Sequence, residues 1–196
     1  MRRGGQGNCG ICLLLAMLLL GTDTSHAGKP RVRIDTTAGS IVIELEPERA
    51  PLTVKNFLAY VEQGFYAGTV FHRVVPGFIV QGGGYTAELT AKQPGPTIFN
   101  ESGNGLENMR GTVGMARSAD PHSAEAQFFF NLADNGASLD PRPTRWGYAV
   151  FGRVVEGLNV VEEIGNTITV VRNGLTGVPP KLVVINKASL EPDSPP

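Results

Sequence analysis

The chain has 196 residues, with 17 Lys+Arg against 18 Asp+Glu and a formal net charge of -1, a balance that lacks the basic surplus of a dedicated nucleic-acid binder. Hydrophobic residues make up 41% and charged residues 18%, which excludes an acidic solvating polymer and a coiled coil and suits one domain with a short appendage. Gly 25 and Pro 14 exceed their usual share and predict short strands joined by many turns.

In chain order, Arg2 and Arg3 give a positive start, Ile11 to Leu20 is an uninterrupted apolar run, and Ser25-His26-Ala27 offers small residues at the spacing of a cleavage site. The run is about half of the roughly 20 residues that a permanent span needs, so residues 1–27 read as a cleavable export signal. Cleavage there removes Cys9 and Cys12, the 2 cysteines of the chain. The mature protein is then exported without a disulfide, a thiol nucleophile, a cysteine metal site or a stable membrane anchor.

Val32 to Asp35 alternates apolar with polar, Ile41 to Leu45 is strand-like, and Ala38-Gly39 between them predicts a hairpin. Pro51 sits where a first helical residue would, and Val54, Phe57, Leu58 and Val61 follow at helical spacing before Gly64. Short strands are expected at Val70 to Val75, Ile79 to Gln81, Thr112 to Ala116, Phe128 to Leu132 and Ala149 to Val154. A second helix is expected from Leu158 to Ile164, a last strand over Leu182 to Ile185, and a Pro- and Ser-bearing disordered tail over 191–196. The pattern is a mainly β, α+β domain over 28–190, a barrel whose ends two helices cover.

Common catalytic motifs are missing. His72 and His122 are the only histidines after Ala27, too few for a metal site without cysteine. Gly82-Gly83-Gly84 lacks the Lys-Ser/Thr of a phosphate loop, and no Gly-x-Ser-x-Gly places a serine nucleophile. Asn100-Glu101-Ser102 is a glycosylation triplet of the kind that also arises by chance.

Two segments stand out. In Phe71 to Gly83, strand alternation puts Phe71, Arg73 and Val75 on one face, and Pro76-Gly77 turns the chain. Arg73 is then either a solvated strand residue or a desolvated donor aimed at a ligand. In Phe128-Phe129-Phe130, neighbours on a strand point to opposite faces, so Phe129 must meet a second apolar environment. That environment is either a further core or a ligand pocket.

The string FHRVVPGFIVQGG, followed by GTVGMAR and QFFF, resembles the cyclophilin-type peptidyl-prolyl cis-trans isomerases, and the likeness runs from about Val32 to Leu190. The resemblance implies a closed eight-stranded antiparallel barrel capped by two helices, and an isomerase that needs no cofactor and no metal. It makes Arg73 the essential arginine. Phe78, Ile79 and Gln81 become groove residues, Ala116 and Arg117 an edge strand, Phe129 the floor of a proline pocket, Leu139 a wall, and Tyr148 a further lining residue. Three positions depart from the common pattern: Ile79 for Met, Arg117 for Asn and Tyr148 for His. Arg117 carries an expectation of tolerance for acidic residues near the proline. The cyclosporin-contacting Trp of many members is absent beside Leu139, where this chain has Ala137-Ser138, so weak cyclosporin binding is expected.

The likeness is greatest to exported bacterial members, which implies a periplasmic monomer that accelerates rotation about X–Pro bonds in unfolded exported proteins, as a folding helper or chaperone. It implies no nucleic-acid partner. A cyclophilin-fold holder of proline peptides with little turnover is the alternative.

Overall fold

Arg31–Thr36 (β1) and Gly39–Leu45 (β2) form the expected hairpin, with Thr36 opposite Gly39. The Thr36 hydroxyl donates to the Gly39 carbonyl at 2.6 Å and accepts from the Ala38 N–H at 3.0 Å, which fixes the turn. The structure, a computed structural model, describes residues 28–192 together with Met1 and Gly4. The export signal and residues 193–196 of the expected tail lie outside the described residues. Glu191 is held: its N–H donates to the Arg31 carbonyl at 2.7 Å and its carboxylate pairs with Arg33 at 2.7 Å.

Pro51–Glu62 (α1) begins with proline at its first turn, and Ala50 before it has no side chain to cap the free N–H groups. Glu101 supplies the cap from a distant loop: it accepts from the Leu52 and Thr53 N–H groups at 3.0 and 2.8 Å and from the Thr53 hydroxyl at 2.7 Å. This is a carboxylate at the positive end of a helix. Thr53, Val54, Phe57, Tyr60 and Val61 are the buried stripe.

The remaining elements are Arg73–Val75 (β3), Ile79–Gly82 (β4), Thr112–Met115 (β5), Phe128–Asn131 (β6), Gly136–Leu139 (α2), Val150–Glu156 (β7) and Leu158–Gly165 (α3). They are followed by Val170–Arg172 (β8), Leu175–Val178 (β9) and Ile185–Leu190 (β10). One eight-stranded sheet runs β10-β1-β2-β7-β5-β6-β4-β3, and β8-β9 is a separate hairpin. All of the sheet's pairings are antiparallel. α1 packs on β10, and α3 on β2, β3 and β4. None of the helices among the described residues is long and apolar enough to cross a membrane.

The expectation of a closed barrel is corrected: the sheet is a curled half-barrel that ends at β10 on one side and β3 on the other. Among the described residues the seam is joined by one bridge, Val70↔Val184, and by the Phe71 N–H to Val183, Ile185 N–H to Thr69 and Gly68 N–H to Ile185 carbonyl bonds at 3.1, 2.7 and 2.9 Å. The chain enters that seam from Pro179 and Pro180, which have no N–H to extend a ladder. The apolar run Leu182 to Val184 therefore packs beside the sheet, and the last strand starts at Ile185. The strand expected from Val70 likewise starts only at Arg73. Phe71 thus does not share a face with Arg73; it sits with Val74 in the main core.

That core joins α1 to the concave face of the sheet. Phe57 lies 5.2 to 5.6 Å from Phe151, Tyr66 and Phe128, ring centre to centre, and Phe128 meets Phe130 edge-on at 5.6 Å. Such tilted and edge-on packing suits the ring quadrupoles.

Candidate active site

Four strands present their outward faces in a row. In the ladder Arg73 faces Gln81, Gln81 faces Phe129, and Phe129 faces Gly114, so these side chains emerge side by side across β3, β4, β6 and β5. Gly114 leaves a gap in the row, and the Phe129 ring fills it: a Cβ there would stand 2.3 Å from the ring's Cζ. Phe78 reaches the row through a turn whose Phe78 N–H to Val75 carbonyl bond is 2.9 Å. Pro76 and Gly77, the latter at φ 68, are the residues a type II turn requires at its centre.

Arg73, Phe78, Ile79, Gln81, Ala116, Arg117, Phe129, Leu139 and Tyr148 together line one cavity of about 400 Å³. The structure thus brings together every residue that the resemblance marked out. Ile79, Phe129 and Leu139 form its buried apolar floor, with Val75, Phe78, Ala116 and Tyr148 packed around them. Tyr148 stands edge-on to Phe129 at 5.8 Å.

The polar side of the cavity is a short relay. Arg73 Nη1 donates to Gln81 Oε1 at 3.2 Å, and Gln81 Nε2 donates to Gln127 Oε1 at 3.0 Å. The relay fixes which end of the Gln81 amide faces the arginine. Among the described residues Arg73 forms no ion pair, whereas Arg31, Arg33, Arg110 and Arg153 all meet carboxylates. Arg73 therefore keeps its charge and its remaining donors for whatever enters the cavity.

Arg117 is otherwise engaged. Its Nε donates to the Gly147 carbonyl at 3.1 Å, Nη1 to Ser118 at 2.9 Å and Nη2 to Trp146 at 2.9 Å, and its guanidinium lies over the Tyr148 ring at 4.4 Å. These partners are neutral carbonyls, and among the described residues Arg117 meets no carboxylate, so its charge stays at the edge of the cavity. The arginine braces the loop that carries Tyr148.

Three buried asparagines hold the rim. Asn135 donates to the Phe78 carbonyl at 2.7 Å and to Asn131 Oδ1 at 2.8 Å, and Asn131 donates to Asn108 Oδ1 at 3.1 Å. Asn108 donates to Asp140 at 2.8 Å and to the Tyr148 carbonyl at 3.2 Å. Phe78, α2 with Leu139, and Tyr148 are thus tied to one frame. Sequence reasoning missed these residues and Gln127. Only Asn131, after three phenylalanines in β6, stands amid apolar strand text; Asn108 and Asn135 lie in loop text that a polar loop reading absorbs.

Asn100 of the glycosylation triplet spends its amide on the Pro121 and Gly147 carbonyls at 3.1 and 3.0 Å, so it serves the loop packing. Among the described residues no group of three or more His, Cys, Asp or Glu could hold a metal ion.

The family model described as cyclophilin type peptidyl-prolyl cis-trans isomerase/CLD matches residues 31–190. The chain is 47% identical over 159 residues to peptidyl-prolyl cis-trans isomerase A of Dickeya dadantii, covering 81% of this chain and 83% of that protein. It is 50% identical over 161 residues to peptidyl-prolyl cis-trans isomerase cyp18 of Streptomyces antibioticus, covering 81% and 97%. A Cryptosporidium parvum cyclophilin crystallised in the presence of the dipeptide Ala-Pro superposes with a TM-score of 0.67 at 25% identity, over 83% of this chain and 99% of that one.

Proposed function

The chain belongs to the cyclophilin-type peptidyl-prolyl cis-trans isomerases, and from that premise we propose that the cavity around Phe129 seats the proline ring while Arg73 drives the rotation. The protein is an isomerase acting on X–Pro peptide bonds. Such a bond resists rotation through amide resonance, with a barrier of about 18–20 kcal/mol. No bond is made or broken, so the reaction calls for neither a nucleophile nor a metal. What lowers the barrier is a grip on the ring and a charge where the nitrogen lone pair localises.

The floor of Ile79, Phe129 and Leu139, with Phe78 and Tyr148 at its walls, offers the ring an apolar socket. Arg73 points a permanently charged, planar donor set at that socket. As the bond twists, the nitrogen becomes pyramidal and a better acceptor, so the Arg73 contact strengthens toward the transition state. Gln81, held by Arg73 and Gln127, orients the substrate carbonyl. Ala116 sits at the open margin of the cavity, where the peptide backbone can run past.

One observation carries this reading: Arg73, with no carboxylate partner among the described residues, stands on the same lip as the Gln81 amide above a buried apolar floor. Preorganised donors in such settings contribute about 2.7–4 kcal/mol, or roughly 10²–10³ in rate. Arg73→Ala is expected to lose that factor in kcat/KM in a coupled peptide assay while keeping the wild-type circular dichroism spectrum. Equal turnover by the folded variant would remove the arginine from the mechanism.

The working substrates in this reading are unfolded exported polypeptides, met by a monomer in the periplasm after its signal has been removed. The apolar run after Arg2 and Arg3 supports export. Cyclosporin binding is weak in this reading because Ala137 and Ser138 stand in α2 beside Leu139, while Trp146 is no part of the cavity lining.

A further inference from the structure

Beyond the proline cavity lies a row of rings that the isomerase chemistry does not use. Phe99 is 70% exposed and Trp146 48% exposed, and His122 stands between them, with ring centres 5.3 Å from Phe99 and 5.2 Å from Trp146, edge-on to both. Single exposed apolar residues are ordinary; three rings in one row, the central one held by a hydrogen bond, are not. The Asn100 N–H donates to His122 Nδ1 at 3.2 Å, the His122 N–H to Asp120 Oδ1 at 2.8 Å, and the Asn100 amide spans the Pro121 and Gly147 carbonyls. A groove of about 440 Å³ opens on the other side of Trp146, between Gly103 and Pro143.

The row is continuous with the cavity through Arg117, which lies 4.4 Å from the centre of the Tyr148 ring and 2.9 Å from the Trp146 carbonyl. An extended chain advances about 3.3–3.6 Å per residue, so a peptide with its proline against Phe129 and Tyr148 arrives at Trp146 after about two to four residues. We propose that Phe99, His122 and Trp146 form a docking platform for an aromatic or large apolar side chain of the same polypeptide, that far from the proline. This deepens the isomerase reading and rests on it. The central ring is already fixed by the Asn100 N–H and its two neighbours pack edge-on against it, so less side-chain entropy is lost when a partner settles on the row. The platform selects unfolded chains, which expose such residues, over short proline peptides, which cannot reach it.

The chain contains 1 tryptophan, so its intrinsic tryptophan emission reports on this platform. The experiment compares a proline tetrapeptide with about ten-residue peptides carrying proline and, three residues away, either tyrosine or serine. Affinity is read by calorimetry and the platform by tryptophan emission. The tyrosine peptide is expected to bind about tenfold tighter than the serine peptide, equivalent to about 1.4 kcal/mol, and to shift the emission; the tetrapeptide is turned over without shifting it. Phe99→Ser and Trp146→Ser are each expected to bring the tyrosine advantage within about twofold with tetrapeptide turnover unchanged. Equal binding of the two long peptides, or an advantage that survives both substitutions, overturns the proposal. So does a Trp146-dependent dimer in sedimentation with silent peptides, which would assign the rings to a second copy of the chain. Loss of tetrapeptide turnover in the unmodified protein would instead count against the isomerase reading, so the two failures are distinct.

Discussion

Phe128, Phe129 and Phe130 are equally shielded from water, yet they belong to two different surfaces of β6. Phe128 and Phe130 are 0% exposed and lie in the main core, among Phe57, Phe71, Tyr66 and Phe151. Phe129, at 2%, has Ile79 and Leu139 as the buried apolar residues of its cluster and borders the cavity of about 400 Å³. Burial therefore measures two things. On the concave face it marks interdigitated packing, which stabilises the fold. On the convex face it marks the floor of a cavity. The alternation of a single strand separates stability from function.

The largest expected effect tests that separation directly. Phe130→Ala removes a ring packed on all sides and is expected to cost about 3–5 kcal/mol in urea unfolding. Phe129→Ala removes a ring that borders open space and is expected to cost clearly less. Its loss appears in kcat/KM, at least about tenfold, because about 1.4 kcal/mol of lost apolar contact is already that factor. Equal destabilisation by the two substitutions would break the comparison.

The same alternation explains why so much of the molecule could be read in advance. The β1–β2 hairpin, α1 from Pro51 and α3 from Leu158 all announce themselves through local periodicity and stop signals. Phe129 was placed on a second surface because three large rings cannot share one face. Elements that depend on distant partners were hidden. Val170–Arg172 is exposed throughout, so β8 offers no alternation, despite the Asn173-Gly174 turn that joins it to β9. The closed barrel that the resemblance implied is the clearest misreading, because closure depends on what meets the residues around Val184 across the seam. The cavity residues were legible through a family string. The purpose of Arg117 was not, since its partners Trp146 and Gly147 are about thirty positions away. Nor was the Asn108–Asp140 bond, which spans 32 positions.

A second test uses neighbours in sequence that face different environments. His72 is 4% exposed, and its ring lies 4.5 Å from that of Tyr85. Burial, with the charge of Arg73 adding to it, pushes its pKa from 6.5 down to about 4. The folded state holds the neutral ring, so the unfolded chain binds the extra proton between these values. Stability is full above about pH 6.5 and falls as pH drops toward 4, by up to about 3 kcal/mol. Melting temperatures across that window check this, and His72→Phe is expected to flatten the curve. An arginine guanidinium stays charged at every pH in that window. Turnover per folded molecule should therefore not follow the stability loss, and a parallel fall in kcat would tie the two faces together.

The smallest effect is the most pointed. Gly114 lies opposite Phe129 on β5, and a methyl group there meets the ring at 2.3 Å. In the concave core such overpacking has nowhere to go, and typically costs about 1–3 kcal/mol. Here the ring has open space on its far side, so Gly114→Ala can be accommodated by lifting Phe129 into the cavity. The expected stability cost lies at the low end of that range. The proline socket becomes shallower, so KM for a proline tetrapeptide rises several-fold while Arg73, one strand beyond Gln81, still acts on what binds. A rise in KM with little change in kcat would show that the unfilled space over Phe129 is the binding site. A stability loss of the full core size with unchanged KM would mean that Phe129 is packed as tightly as the rings on the other side, and that the cavity is not where proline sits.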